Sequence, residues 1–506
     1  MKAMHKQYAP PQHILKNIHV KQEQFWNQER ETRALDLFHR AANQVPAYKD
    51  FLSKHGINPK KIKNWQDFQL VPPTSKADYL RQYPIEKLHW NGSIAKPMVL
   101  TATSGSTGEP FYFSRNNDLD WQYSILLELY LQNSSYGKKP TLVLICFGMG
   151  VWIGGLITYK AFELAGQRGY PISILTPGIN KGEIFKALKK IAPNFAQTIL
   201  VGYPPFIKDI IDESAEEGVD LHRLRIRLLF AAESFTEHFR DYLIQKTGIK
   251  NLYLDTLNIY GSADIGAMAF ETPIAILARR IAMQDQSLFL ALFSQSIKTP
   301  TLAQYNPLFI TFETTSEKDI LLTGNNTLPL IRYAIGDHGG TMLFHEVESI
   351  FKKAGVDLLK EGANILGKDN IYKLPFVYVY ERKDLSTTLY GLQIYPETIR
   401  AALLENPISK FVTGKFTMLT KYSKGQNQYL EINIELCKDY KITSKEKNLV
   451  LKKILSHLLE KNSEFRELHQ HLGSRSIPKL VFWPKEHPMY FKMGTKQMWV
   501  MKTNHK

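Results

Sequence analysis

Only two cysteines occur in this chain, Cys146 and Cys437, and they lie far apart. That excludes a disulfide framework and a four-cysteine zinc site, and it suits a reducing cytoplasm. No run of five or six basic residues appears, although Lys and Arg outnumber Asp and Glu 64 to 48 and leave a net charge of +16. A charge spread along the whole chain reads as a solvated basic surface that suits anionic small molecules, so no nucleic-acid partner is expected. The first eleven residues, Met1-Lys-Ala-Met-His-Lys-Gln-Tyr-Ala-Pro-Pro11, have no apolar core, so no signal peptide is visible. One uncharged stretch, 140–159, approaches the length of a membrane span. Gly148, Gly150, Gly154 and Gly155 interrupt it, and it reads as a buried strand, a turn and a helix start. No membrane span is therefore expected. HExxH and Ser-His-Asp patterns are also missing, so His338 and His345 are read as structural.

A chain of 506 residues is too long for one ordinary core. Apolar runs at 142–147, 172–175, 198–201 and 226–231 read as strands. Helical patterns lie between them at 118–132, 156–164, 182–192, 205–216 and 236–247. Such alternation predicts α/β architecture: a large layered N-terminal domain with mostly parallel sheets. Function in such sheets sits on loops at strand C-terminal ends, which nominates 202–204, 231–234 and 258–266. Upstream, 12–44 reads as one helix, and 70–80 as a proline-bounded turn with Thr74 or Ser75 capping a helix. An apolar helical run fills 274–305, and strands follow at 308–313 and 319–323. After a charged cluster near 381–384 the pattern predicts a small α+β C-terminal domain, giving domains 1–380 and 381–506. There, 430–436 alternates apolar with polar and predicts a half-buried strand. Thr443 and Glu446 form a capping box for the helix that Val450, Ile454 and Leu458 continue.

The densest chemical signal is 101–110, Thr-Ala-Thr-Ser-Gly-Ser-Thr-Gly-Glu-Pro, between two short strand patterns. Glycines let the backbone turn N–H groups toward an anion, and hydroxyls add donors. It is not a P-loop, because no lysine follows Gly108 and a strand comes next, and it is not a GxGxxG fingerprint. A ligand-free Ser/Gly turn has the same composition, so the residues alone leave both readings open.

The segment 103–110 resembles the phosphate loop of the adenylate-forming enzymes, and its spelling is closest to the phenylacetate–CoA ligase-like branch. Segments 45–52 and 70–80 resemble the N-terminal region of that branch. Residues 260–266, Tyr-Gly-Ser-Ala-Asp-Ile-Gly, resemble its Tyr-Gly-x-Thr-Glu-x-Gly motif. Ala231-Ala-Glu-Ser234 resembles its adenine segment, and Arg332-Tyr-Ala-Ile-Gly-Asp337 its Arg-Tyr-x-x-Gly-Asp motif. Glu381-Arg-Lys-Asp384 resembles its Gly-Arg-x-Asp hinge, and 491–497 its C-terminal lysine loop. The chain departs from the family at Glu109, where many relatives carry lysine, at Asp264 in place of glutamate, and at Glu381 in place of glycine.

The resemblance implies a two-domain, ATP-dependent, AMP-forming carboxylate ligase with Mg²⁺ and coenzyme A. Thr103, Ser104, Gly105, Ser106, Thr107 and Gly108 would grip phosphates. Asp264 would be catalytic and hold the metal. Ala232, Glu233, Tyr260, Gly261 and Ser262 would frame the nucleotide, Asp337 the ribose, and Arg382 would add a cofactor contact. Asp384 would be the hinge of a small mobile α+β C-terminal domain, and Lys496, with Lys492 as second choice, the cation that drives adenylation. The acid pocket would draw on 146–155, 202–206 and 231–235, which suits an aromatic or apolar acid, in a cytoplasmic monomer or homodimer. Three alternatives stay open at this level: an adenylating enzyme with another acceptor, a non-catalytic nucleotide binder, and a nucleic-acid binder.

Overall fold

The computed structural model describes residues 8–95, 98–102, 111–149, 153–294, 299–382, 387–491 and 500. The calls on the 103–108 loop, Glu109, Asp384, Lys492 and Lys496 lie outside those residues. A hairpin comes first, β1 (Val99–Ala102) and β2 (Tyr112–Arg115), paired antiparallel as its flanking patterns predict. Next come β3 (Thr141–Cys146), β4 (Ile172–Leu175), β5 (Gln197–Gly202), β6 (Ile226–Ala231) and β7 (Thr256–Ser262). Then follow β8 (Gly266–Phe270), β9 (Thr301–Gln304), β10 (Ile310–Thr314), β11 (Asp319–Gly324), β12 (Leu330–Met342) and β13 (Phe376–Arg382). These eleven strands, β3 to β13, form one sheet in the order β10-β11-β12-β13-β9-β8-β7-β6-β5-β3-β4.

The strands β4, β3, β5, β6 and β7 are mutually parallel. Of these, β3, β5 and β6 read as near-continuous apolar runs because both faces are covered. Leu142, Leu144 and Cys146 point into one core, while Val143, Ile145 and Phe147 point into another on the opposite face. Beyond β7 the sheet continues antiparallel. Only three residues separate β7 from β8, too few for the crossover a parallel neighbour needs.

A smaller α+β unit follows. It contains the hairpin β14 (Thr387–Leu389) and β15 (Leu392–Ile394), and a sheet of β16 (Val412–Tyr422), β17 (Gln428–Leu436) and β18 (Lys479–Trp483). The helices Pro396–Leu403, Ser444–Lys461 and Ser463–Leu472 pack on it, with the capping box at Thr443 formed and Val450, Ile454 and Leu458 buried. One apolar core runs from the helices Lys181–Lys190 and Pro204–Glu213 into this unit, through Leu389, Tyr390 and Ile394.

Four local expectations are corrected. The helix over 12–44 is two helices, Pro11–Val20 and Glu23–Gln44, split by the extended residues Lys21 and Gln22. The run 274–305 is two helices, Pro273–Ala282 and Gln286–Phe293, followed by β9, a buried strand in the middle of the sheet. Neither Thr74 nor Ser75 caps a helix. Thr74 bridges to β12 instead, its N–H donating to the Arg332 carbonyl at 3.1 Å and its carbonyl accepting from Ala334 N–H at 2.8 Å. The polar face of β17 is buried, not half-exposed, with Asn433 and Glu435 fully covered. Partners arrive from later in the chain: Trp483 donates to Asn433 at 2.6 Å, and Glu486 N–H donates to Glu435 at 2.7 Å.

A buried ion pair ties the helix Asn117–Gln132 to the parallel strands. Arg227 Nε donates to Asp255 Oδ1 at 2.9 Å, both side chains are fully buried, and the guanidinium stacks over Tyr130 at 3.9 Å. Removing Arg227 leaves the buried Asp255 charge, among the described residues, without a counter-ion, held only by the Ser135 N–H and hydroxyl. Arg227→Met is expected to lower stability by about 3–5 kcal/mol, read from chemical denaturation of the full chain, and a loss below about 1 kcal/mol would contradict the assignment.

Candidate active site

The three nominated loops meet at the carboxyl ends of β5, β6 and β7. They line a cavity of about 1050 Å³ between the main sheet and the smaller unit. Its walls include Tyr203, Ala232, Glu233, Tyr260, Gly261, Ser262, Asp264 and Asp337. The sequence-nominated residues from four separate motifs are thus brought to one place.

Two reciprocal tyrosine–aspartate bonds hold that wall. Tyr260, on β7, donates its hydroxyl to Asp337 on β12. Tyr333, on β12, donates to Asp264 Oδ2 at 2.7 Å, in the turn after β7. Asp264 and Asp337 are each nearly covered, so a partner for each carboxylate is required. Tyr333 stands inside the Arg-Tyr-x-x-Gly-Asp motif, yet its role as the Asp264 partner is visible only in three dimensions.

Lys76 is the residue sequence reasoning missed. Its ammonium lies 3.4 Å from Asp264 Oδ1 and 5.5 Å from the Phe113 ring centroid, between the carboxylate and the β1–β2 hairpin. Lys76 is placed there by Thr74, which follows Pro72 and Pro73 in extended backbone and pairs with β12. Thr74 Oγ1 adds a bond to the Ile331 carbonyl at 2.9 Å. Arg332, at φ +44° within an irregular stretch of β12, is held there by Glu313 at 3.1 Å.

Glu233 lines the cavity, but its carboxylate is engaged by the smaller unit. Gly391 N–H and Gln428 Nε2 both donate to it, the second at 3.2 Å. Its carbonyl accepts from Asn258 Nδ2 at 3.0 Å. The preceding Ala232 has φ +76°, which turns the chain sharply at the end of β6. Tyr390 and Gly391 both have positive φ, as a two-residue hairpin turn requires. A Cβ at Gly391 would sit 2.2 Å from the Tyr203 ring, so only glycine permits this contact. Arg382 is the last residue of β13, and its Cα faces that of Asp337 across the ladder.

The apolar part of the cavity is lined by Tyr123, Phe147, Ile153, Ile157 and Tyr203. Phe147, Ile153 and Tyr203 fall in the segments the sequence nominated; Tyr123 and Ile157 come from helices it did not. Glu464 of the smaller unit also faces the cavity.

No family model matches the chain. The phenylacetate–coenzyme A ligase of Pseudomonas putida is 28% identical over 232 residues, covering 44% of this chain and 48% of that protein. The phenylacetate–coenzyme A ligase of Aromatoleum evansii is 26% identical over 247 residues, covering 46% of this chain and 51% of that protein. The chain is similar to the phenylacetate–coenzyme A ligases over somewhat less than half of its length. It spans about half the length of the curated relatives it matches. A solved 2-hydroxyisobutyryl-CoA ligase, in complex with 2-HIB-AMP and CoA in its thioesterification state, is similar at TM-score 0.63 and 15% identity, over 98% of this chain and 94% of that one. The same ligase in its postadenylation state is similar at TM-score 0.53 and 14% identity, with the same coverage. At such identity the likeness is one of fold, and it runs the length of both chains.

Burial, and then neighbouring Glu467, raise the Glu464 carboxyl from 4.5 to about 7. The fold disfavours its charged form, so its contribution to stability is complete below pH 4.5 and is lost as pH rises through about 7. Glu464→Gln is expected to remove that loss. Its melting temperature should match the parent at pH 4 and exceed it at pH 8; equal melting at both would contradict this.

Proposed function

We propose that this chain activates a small carboxylic acid with ATP, forming an acyl-adenylate and releasing pyrophosphate, then passes the acyl group to a thiol, coenzyme A. The observation that carries the reading is one wall bearing two partnered carboxylates, Asp264 and Asp337, with Lys76 and the β1–β2 hairpin beside it. Asp337 suits a ribose, since a carboxylate accepts from vicinal hydroxyls. Tyr260, Gly261, Ser262, Ala232 and Glu233 border the same space and would frame the base. Lys76 supplies the cation that position 109 lacks, and the 103–108 loop would add phosphate donors. Lys496 would stabilise charge on the reacting phosphate after the smaller domain turns about Asp384, with Arg382 near the nucleotide.

Magnesium fits Asp264. The ion takes one or two carboxylates plus substrate phosphates and keeps its waters. Among the described residues no cluster of three or more His, Cys, Asp or Glu groups could hold a metal by itself, so phosphate oxygens would complete the shell. When bound, the ion would supply neutralising charge to the triphosphate. The aromatic and aliphatic lining, Tyr123, Phe147, Ile157 and Tyr203, favours an aromatic or apolar acid. Free Cys146 and Cys437 suit a cytoplasmic setting. Among the described residues no helix is long and apolar enough to cross a membrane.

A second reading, with a carrier protein, an amine or a coenzyme hydroxyl as acceptor, is supported by the wall the smaller unit contributes. Among the described residues it carries the neutral and acidic groups Thr387, Thr388, Gln393, Gln426, Gln428 and Glu464, which suit an uncharged or cationic acceptor. Product formation with and without coenzyme A separates the two.

ATP–pyrophosphate exchange over a panel of carboxylic acids tests the central reading. With an acid that supports exchange, Lys76→Met and Lys496→Ala are each expected to lower the rate by about 100-fold or more, with unchanged melting. Undiminished exchange in Lys76→Met would remove Lys76 from the site.

A further inference from the structure

The contact between the smaller unit and the main sheet is built around one arginine. Arg475 lies in the short turn Gly473–Ser476, after the helix Ser463–Leu472. Its guanidinium reaches across to the helix Pro204–Glu213, donating to Asp209 and, at 3.0 Å, to Glu213. It also donates to the Tyr390 hydroxyl at 3.2 Å. Tyr390 is the first residue of the turn whose second, Gly391, meets Tyr203 and Glu233 inside the cavity. One side chain therefore joins the docking helix to the turn that enters the cavity.

We infer that Arg475 is a releasable latch, which holds the smaller unit on the helix Pro204–Glu213 and thereby seats the Tyr390-Gly391 turn for acyl transfer. The inference rests on the proposed ligase reading for its kinetic consequence alone.

The chemistry favours both halves of that description. A guanidinium fork binds two carboxylates at fixed angles, which a flexible ammonium does not. Asp209 is 2% exposed in the docked form, so its pairing is shielded from water. Release does not strand it. Lys181, on the main unit, stands 3.8 Å from Asp209 and 2.5 Å from Glu213. Both carboxylates keep a cation when Arg475 departs, so undocking avoids the penalty of an unpaired buried charge. Lys208 adds a bond to Asn427 at 2.9 Å while retaining its own partner Asp212. In these polar contacts Asp209, Glu213 and Lys208 each keep a charged partner on the main unit when the smaller unit departs.

The test uses the full chain with spin labels on cysteines at Lys190→Cys and Lys445→Cys, one in each unit, in a Cys437→Ser background. Distance distributions are compared for the parent, Arg475→Ala, Arg475→Lys and Asp209→Asn. The parent is expected to show a dominant short population. Arg475→Ala and Asp209→Asn should each shift weight to longer distances, and Arg475→Lys should recover part of it. Given an acid that supports exchange, Arg475→Ala should keep ATP–pyrophosphate exchange within about twofold, while thioester formation falls at least tenfold and Arg475→Lys restores part of that loss. Identical distance distributions in the parent and Arg475→Ala would overturn the latch, as would equal losses in both half-reactions. Failure of every acid in the parent would count against the ligase reading, and the distances alone would then decide the latch.

Discussion

The site depends on two hydroxyl-to-carboxylate bonds that run in opposite directions between the same two elements. Tyr260 reaches from β7 to Asp337, and Tyr333 reaches from β12 to Asp264. Each nearly buried carboxylate would be costly without a partner. Each tyrosine holds its aspartate at the cavity wall. The crossed arrangement fixes the separation of the two carboxylates, because moving either element breaks both bonds.

The rest of the fold serves that wall. Parallel strands covered on both faces end together, and their loops converge at the cavity. The antiparallel continuation brings β12 alongside β11 and β13, and Thr74 docks on it, so that Lys76 enters from a distant part of the sequence. The smaller unit closes the cavity through a shared apolar core and through polar contacts on Glu233, Asp209 and Glu213.

Much of this was legible before any coordinates. Strand–helix alternation located four of the five parallel strands, β3 to β6, because period and burial agree there, whereas 258–262, the end of β7, read as loop. The loops after β5, β6 and β7 followed from topology alone. Other features were hidden for physical reasons. Thr74 has the residue type of a helix cap, but an open flank of β12 outcompeted the helix for its backbone groups. The polar face of β17 reads as solvent-facing because its partners, Trp483 and Glu486, arrive some fifty residues later. Lys76 carried no motif of its own, since its meaning comes from Asp264, which is far away in sequence. Ala232 occupies a left-handed turn that its side chain does not advertise. The phosphate loop, the hinge aspartate and the C-terminal lysine rest on the family resemblance, because they lie outside the described residues.

The most direct measurement is a crystal structure of the full chain with magnesium and a non-hydrolysable ATP analogue. The account predicts the ribose hydroxyls within hydrogen-bond distance of Asp337, and the phosphates running toward Asp264 and Lys76. A nucleotide bound away from both carboxylates, with the two tyrosine–aspartate bonds undisturbed, would contradict it.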